Sequence, residues 1–439
     1  MNKFMGLRLP LSLAVAAFSV AAFGQIPSLS SRSGASYTIY LDFGGFTFNG
    51  NWGGVSTQTP GTTAAYSKPA NISEIWARVA EKYVGMDVNV TTVDPAVAAG
   101  QAGSDAQRQT YYDTTAKMMH TVVGGNGSWS GGGGISYVGV TQNAYTGTGN
   151  SNGYHTNFVF AEQSPNSTQF IGEASAHENG HGLSLYHQGD WNVSGQSNQA
   201  YSSNFGASGN GSVAPIMGNS YTAQRGLWRS GNSSAKGDGS DVITQNDFSL
   251  LINSNAGMTL KDDGNGHTTA TATALAFSGT SVDGTKSKGY LNPASSATPN
   301  PIGASNYTKD DFSFSLGSAG TLTLTVNDGG QWLTNGVAAK GITLRSTLTI
   351  LNAAGAVVGT ATEASDTLSE TFTGSLGAGS YFAEVGDFGG ITSVIDPTAK
   401  YYTSGSYFFS GGFQAVPEPA TLALLGLGLV AVARRRRRS

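Results

Sequence analysis

The chain has 439 residues, of which only 11% are charged, and a formal net charge of -4. With no basic field it is unsuited to nucleic acid, and with no cysteine it has neither disulfides nor zinc–thiolate sites. Its length and its 62 glycines point to two or three loop-rich domains containing β-structure, each able to bury its own core.

Residues 1–24 read as a secretory signal. Lys3 and Arg8 supply a positive start, an apolar run follows from Leu9 to Phe23, and the small residues Ala22 and Gly24 precede a cut before Gln25. Tyr37 to Phe43 is β-branched and aromatic and predicts a first strand. Asn71 to Tyr83 repeats apolar residues at Ile72, Ile75, Trp76, Val79, Ala80 and Tyr83, an amphipathic helix. Asn71 and Glu74 have the spacing of a near capping box. Strands are expected at Val88–Val93, Ile135–Val140 and Asn157–Ala161, with mixed signals from Ala106 to Val123. The stretch from Asn192 to Gly239 reads as irregular, and 246–253 as a short helix. The order predicts an α+β domain over 25–258.

The densest chemistry lies at His177-Glu178-Asn179-Gly180-His181, continuing to Ser184 and His187, which holds three of the six histidines of the chain. Thr168 to Tyr186 is helical in pattern, with Phe170, Ile171, Ala174, Leu183 and Leu185 for packing. Residues four apart share a helix face, so His177 and His181 can aim imidazole nitrogens at one Zn2+. A catalytic zinc keeps one position open for water and lowers its pKa. Glu178, beside the first ligand, is placed to take the proton from that water and pass it to a leaving amine. A downstream glutamate ligand is nearly closed off, because no Glu occurs between Glu178 and Glu363. Asp190 stands as an alternative third ligand to His187.

This stretch resembles the metzincin consensus H-E-x-x-H-x-x-G-x-x-H, with Ser184 where that family has a glycine. The resemblance implies His187 as third zinc ligand, reached through a turn that costs a non-glycine residue on the order of 1 kcal/mol. Ala214-Pro-Ile-Met-Gly218 resembles the Met-turn, with Met217 as an apolar floor beneath the metal. Tyr221 is a possible support for the oxyanion, as a Tyr near the Met-turn is in some metzincins. Tyr40 to Gly45, the Ile75–Trp76 helix and Asp87 to Thr92 extend the resemblance, to secreted zinc metalloproteases of reprolysin-like type, over about residues 37 to 258. His120 and His155 read as structural, Glu162 as a surface residue and Glu173 as a helix-turn residue.

After a linker at 259–266, short alternating segments separated by glycine turns predict an all-β sandwich over 267–414: Phe312–Leu316, Thr321–Val326, Leu344–Leu351, Thr367–Thr373, Tyr381–Val385 and Ser406–Ser410. Asp310 to Phe314 and Leu376 to Tyr381 are similar to a bacterial pre-peptidase C-terminal domain. Residues 415–439 combine Pro417-Glu418-Pro419, an apolar run from Ala420 to Ala433 and five arginines. This tail resembles the PEP-CTERM sorting signal. The resemblance implies export from a Gram-negative bacterium, a transient inner-membrane anchor and exosortase-type processing; a permanent single-span anchor is the alternative. The expected function is that of a secreted zinc metalloendopeptidase acting on a protein or peptide substrate. The competing expectation is a catalytically inactive zinc-binding surface or matrix adhesin.

Overall fold

The computed structural model describes residues 25–145, 153–191, 213–236, 239–254, 257–292, 308–329, 342–363, 367–389, 391–392 and 399–416. The expected signal segment and the apolar, arginine-ended part of the tail lie outside the described residues. The chain is mixed and strand-rich, with several sheets.

In the N-terminal half, β1 (Tyr37–Asp42), β2 (Val88–Thr91), β3 (Met118–Val123), β4 (Gly134–Ile135) and β5 (Thr156–Val159) form one sheet in the order β2-β1-β3-β5-β4. The first four in that order run parallel, and β4 pairs antiparallel to β5 at the end. Parallel neighbours require crossovers. They are supplied by α1 (Ile72–Lys82) between β1 and β2 and by α2 (Asp105–Thr114) between β2 and β3.

Alternation along β1 sorts the two faces. Tyr37, Ile39 and Leu41 face a core shared with α1 and with α3 (Thr168–Gly182), whereas Tyr40 joins Phe46, Trp52, Tyr112 and Phe158 on the other side. The predicted stripe Ile72, Ile75, Trp76, Val79 and Ala80 on α1, with Tyr83 just past its end, is buried throughout, each large side chain contributing roughly 1.5–3 kcal/mol. The Trp76 indole N–H also reaches the Val90 carbonyl at 2.9 Å.

Several local expectations are corrected. Asn71 is already helical and its side chain does not cap α1, so no capping box forms. Instead Glu74 accepts hydrogen bonds from Arg78 and from Thr168 of α3. The strand expected at Ile135–Val140 stops at Ile135, and Gly139 at φ 73° lies where extended chain was predicted. The described part of the stretch read as irregular holds three strands, β6 (Val213–Pro215), β7 (Arg225–Leu227) and β8 (Arg229–Ser234); β9 (Val242–Asn246) follows and pairs with β8.

In the C-terminal half, two sheets close on one core. One carries Lys309–Leu316, Gly379–Asp387, Ser346–Asn352 and Val357–Thr362, and the other Gly405–Ala415, Gly320–Asp328 and Ser369–Leu376. Phe312, Ile350 and Val385 of the first meet Leu322, Leu324 and Phe409 of the second in that core. Val357–Thr362 adds an edge strand beyond the predicted set, with Val357 and Val358 exposed.

The halves are stitched together. Strand Lys400–Tyr401 leaves the sandwich and pairs antiparallel with β8, and Tyr402 joins the N-terminal core. Leu260 packs in that core, while Asp263 accepts a hydrogen bond from the Tyr290 N–H at 2.8 Å. Arg225 of β7 reaches Asp328 at 3.1 Å, Glu363 at 2.9 Å and the Leu344 carbonyl at 3.0 Å. The buried Glu81 carboxylate of α1 accepts from the Ser406 N–H and Oγ at 2.8 and 2.6 Å.

Candidate metal centre

Helix α3 is capped by Ser167, whose side chain accepts from the Phe170 N–H, and it is buried continuously from Ile171 to Gly182. Asn179 fastens it to the sheet, donating to Thr121 of β3 at 2.9 Å and to the Ser175 carbonyl at 2.7 Å. His177 and His181 are one turn apart with ring centroids 4.7 Å from each other. Their Nδ1 atoms lie 2.7 Å from the carbonyls of Ile216 and Leu185 respectively. A carbonyl only accepts, so each Nδ1 carries the proton and each neutral ring keeps its lone pair on Nε2.

The third histidine arrives through the turn at Ser184. The Leu185 N–H bonds the Gly180 carbonyl at 3.0 Å and the Ser184 N–H bonds the His181 carbonyl at 2.8 Å. This pair of bonds is a Schellman ending, whose pivotal residue is left-handed and usually glycine. Ser184 holds it at φ 82°. The chain therefore turns without the glycine, and the His181 imidazole braces the turn through Leu185. His187 Nε2 comes to 3.0 Å from His181 Nε2, and one nitrogen from each of the three rings falls within 4.8 Å of the others.

Two imidazole nitrogens on one tetrahedral zinc, each about 2.0–2.1 Å away, are roughly 3.3 Å apart. The donor set thus fits a Zn2+ held by three neutral histidines. Burial, reinforced by the neighbouring rings, drives the His177 pKa well below its ordinary value, and burial first lowers His187 to about 3 and His181 to about 4. Protons therefore do not compete for these nitrogens near neutrality. Asp190 is not part of the group; it is buried 3.6 Å from Arg229.

The Pro215–Gly218 turn, closed by Gly218 N–H to Pro215 carbonyl at 2.9 Å, lies beneath the triad. Its Ile216 carbonyl orients His177, and its Met217 carbonyl accepts from the Gln188 N–H at 2.7 Å. Met217 is fully buried, and a β-carbon on Gly180 would stand 2.4 Å from its sulfur. Gly180 is the space the methionine uses.

A cavity of about 490 Å³ opens over the triad, lined also by Glu178, Tyr221, Asn219 and the 132–136 segment that includes β4. Burial raises the Glu178 carboxyl to about 8. Tyr221 stands in the cavity wall with its ring 5.0 Å from Phe170. Two glycines of that segment have a defined role: a β-carbon at Gly134 would lie 2.5 Å from a Glu178 carboxylate oxygen, and one at Gly133 would lie 2.8 Å from Phe170. Only bare backbone fits between the sheet edge and the helix.

Glu173 lies on α3 as expected, but it is fully buried, paired with Lys82 at 2.8 Å and accepting from Ser220 Oγ at 2.6 Å. The pair ties α3 to α1. His120 lies 3.2 Å from both Asp42 and Thr156, and His155 bonds the Tyr112 and Val140 carbonyls at 2.7 and 2.8 Å, all on the second face of the sheet. Among the described residues no helix is long and apolar enough to cross a membrane.

No curated protein matches the chain. Among solved structures, the pre-peptidase C-terminal domain of collagenase from Bacillus anthracis is similar at 12% identity. That likeness covers 27% of this chain and 84% of that one, with a TM-score of 0.16. Residues 415–438 match the family described as the PEP-CTERM protein-sorting motif. The chain therefore ends in a PEP-CTERM tail, the mark of an exported protein that exosortase-type machinery sorts to the cell envelope or surface.

Proposed function

We propose that the protein is a secreted zinc-dependent endopeptidase of metzincin type, released through an N-terminal signal from a Gram-negative bacterium. The observation that carries this reading is the convergence of His177, His181 and His187 beside Glu178 at the floor of an open cavity. When bound, zinc supplies an acidified water and polarises the scissile carbonyl. Glu178 takes a proton from the attacking water and returns it to the leaving nitrogen. Burial raises the Glu178 pKa, and a bound cation beside it works against that shift, favouring the carboxylate that must accept the proton.

Strand β4 ends the sheet along the cavity, and an edge strand offers unpaired main-chain groups to an extended peptide. That favours a polypeptide over a compact substrate. Tyr221 is assigned as oxyanion support from the cavity wall, and the C-terminal half as an accessory module of pre-peptidase C-terminal type.

The test is zinc stoichiometry and protein cleavage by the purified chain and its Glu178→Ala variant. The expectation is one zinc per chain in both and a loss of about 10²–10⁴-fold in cleavage by the variant. Zinc uptake with equal, background-level cleavage by both would instead support the inactive adhesin.

A further inference from the structure

His177 and His181 are fixed by their helix, but His187 is not: residues 185–187 belong to no helix or strand. Its placement depends on what grips the main chain on either side. On one side the Gln245 side-chain amide clamps Tyr186, its Oε1 accepting from the Tyr186 N–H at 2.9 Å and its Nε2 donating to the Tyr186 carbonyl at 2.8 Å. On the other side the Gln188 N–H is held by the Met217 carbonyl. Both side-chain amides then converge on one atom. Gln245 Nε2 and Gln188 Nε2 each donate to Asp247 Oδ1 at 2.8 Å, while Asp247 Oδ2 accepts from the Arg229 N–H at 3.0 Å. Asp247 is wholly buried.

We propose that Asp247 is the positioning residue of His187: it locks the two glutamine amides that bracket the third ligand and so sets where that imidazole meets the other two. The inference rests on the reading of the triad as a metal centre. A carboxylate suits the post because it accepts from three donors at once. An amide in its place would turn an N–H toward one of them. Partners behind a metal ligand set its orientation and commonly govern affinity by about 10–100-fold.

The test uses the full chain, stripped of metal and titrated with Co2+, whose visible spectrum reports ligand number and geometry. Asp247→Ala is expected to weaken Co2+ binding by about 10–100-fold and to move the spectrum toward that of His187→Ala. In a His187→Ala background the same substitution is expected to change neither, because the ligand it positions is gone. An equal loss in both backgrounds, or wild-type affinity and spectrum in Asp247→Ala, overturns the proposal. A wild-type chain that takes up no Co2+ overturns the metal reading with it, a result distinct from either. Should Asp247→Ala not fold, Gln245→Ala cuts the grip on Tyr186 and is expected to show the same dependence on background; its failure to do so counts equally against the proposal.

Discussion

Gly134 of the sheet edge and Glu178 of the histidine helix approach so closely that a methyl group has no room between them. Gly134→Ala is therefore expected to push the Glu178 carboxylate from its post while leaving the triad intact. On the peptidase reading kcat falls on the order of 10²-fold, the cost of a displacement near 1 Å, with zinc content unchanged. Metal analysis beside kinetics checks it; unchanged kcat removes the steric argument.

Ser184 carries a left-handed backbone that glycine adopts freely. Ser184→Gly is expected to raise stability by up to about 1 kcal/mol, read as a shift in the denaturant midpoint at constant slope. A loss of stability would mean that the serine side chain contributes more than its backbone costs.

The Lys82–Glu173 pair has both side chains fully buried. Removing one member strands the other charge, and Glu173→Ala is expected to cost about 3–5 kcal/mol. Replacing both residues by apolar ones of similar size is expected to cost far less. A double-mutant cycle in thermal or chemical unfolding separates the two cases.

The seam between the halves should respond to pH. Ser346 Oγ lies 2.5 Å from both Asp328 and Glu370, yet a hydroxyl donates one proton. Burial first, then the Asp328 charge, raises the Glu370 pKa well above the roughly 4.3 of an unfolded chain, and burial raises its neighbour Asp328 too. The folded state thus holds a proton that the unfolded chain has lost. This stabilisation is full below about pH 4.3 and is lost as pH rises through the raised folded-state pKa. Glu370→Gln is expected to flatten that decline; parallel stability curves for wild type and variant between pH 5 and 9 would refute it.

The features that repeat at a fixed spacing were legible in the sequence. The i, i+4 histidines, the buried stripe of α1 and the alternation of Thr321–Val326 each follow from a period that the backbone imposes. What long-range packing decides was not. Glu173 reads as a polar helix residue, because sequence carries its charge and not its burial. Gln245 and Asp247 lie 58 and 60 residues beyond His187, and no spacing rule joins an amide clamp to the loop it holds. The Schellman turn at Ser184 could be located from its expected glycine, but the imidazole that braces it belongs to the tertiary structure.

Strand Lys400–Tyr401 is laid against β8, the strand whose Arg229 N–H meets Asp247 and whose Ser233 bridges to Gln188 beside His187. The backing of the third histidine thus draws on strands from both ends of the chain, so a change at Tyr401 can reach the triad through β8 without touching any of its three rings.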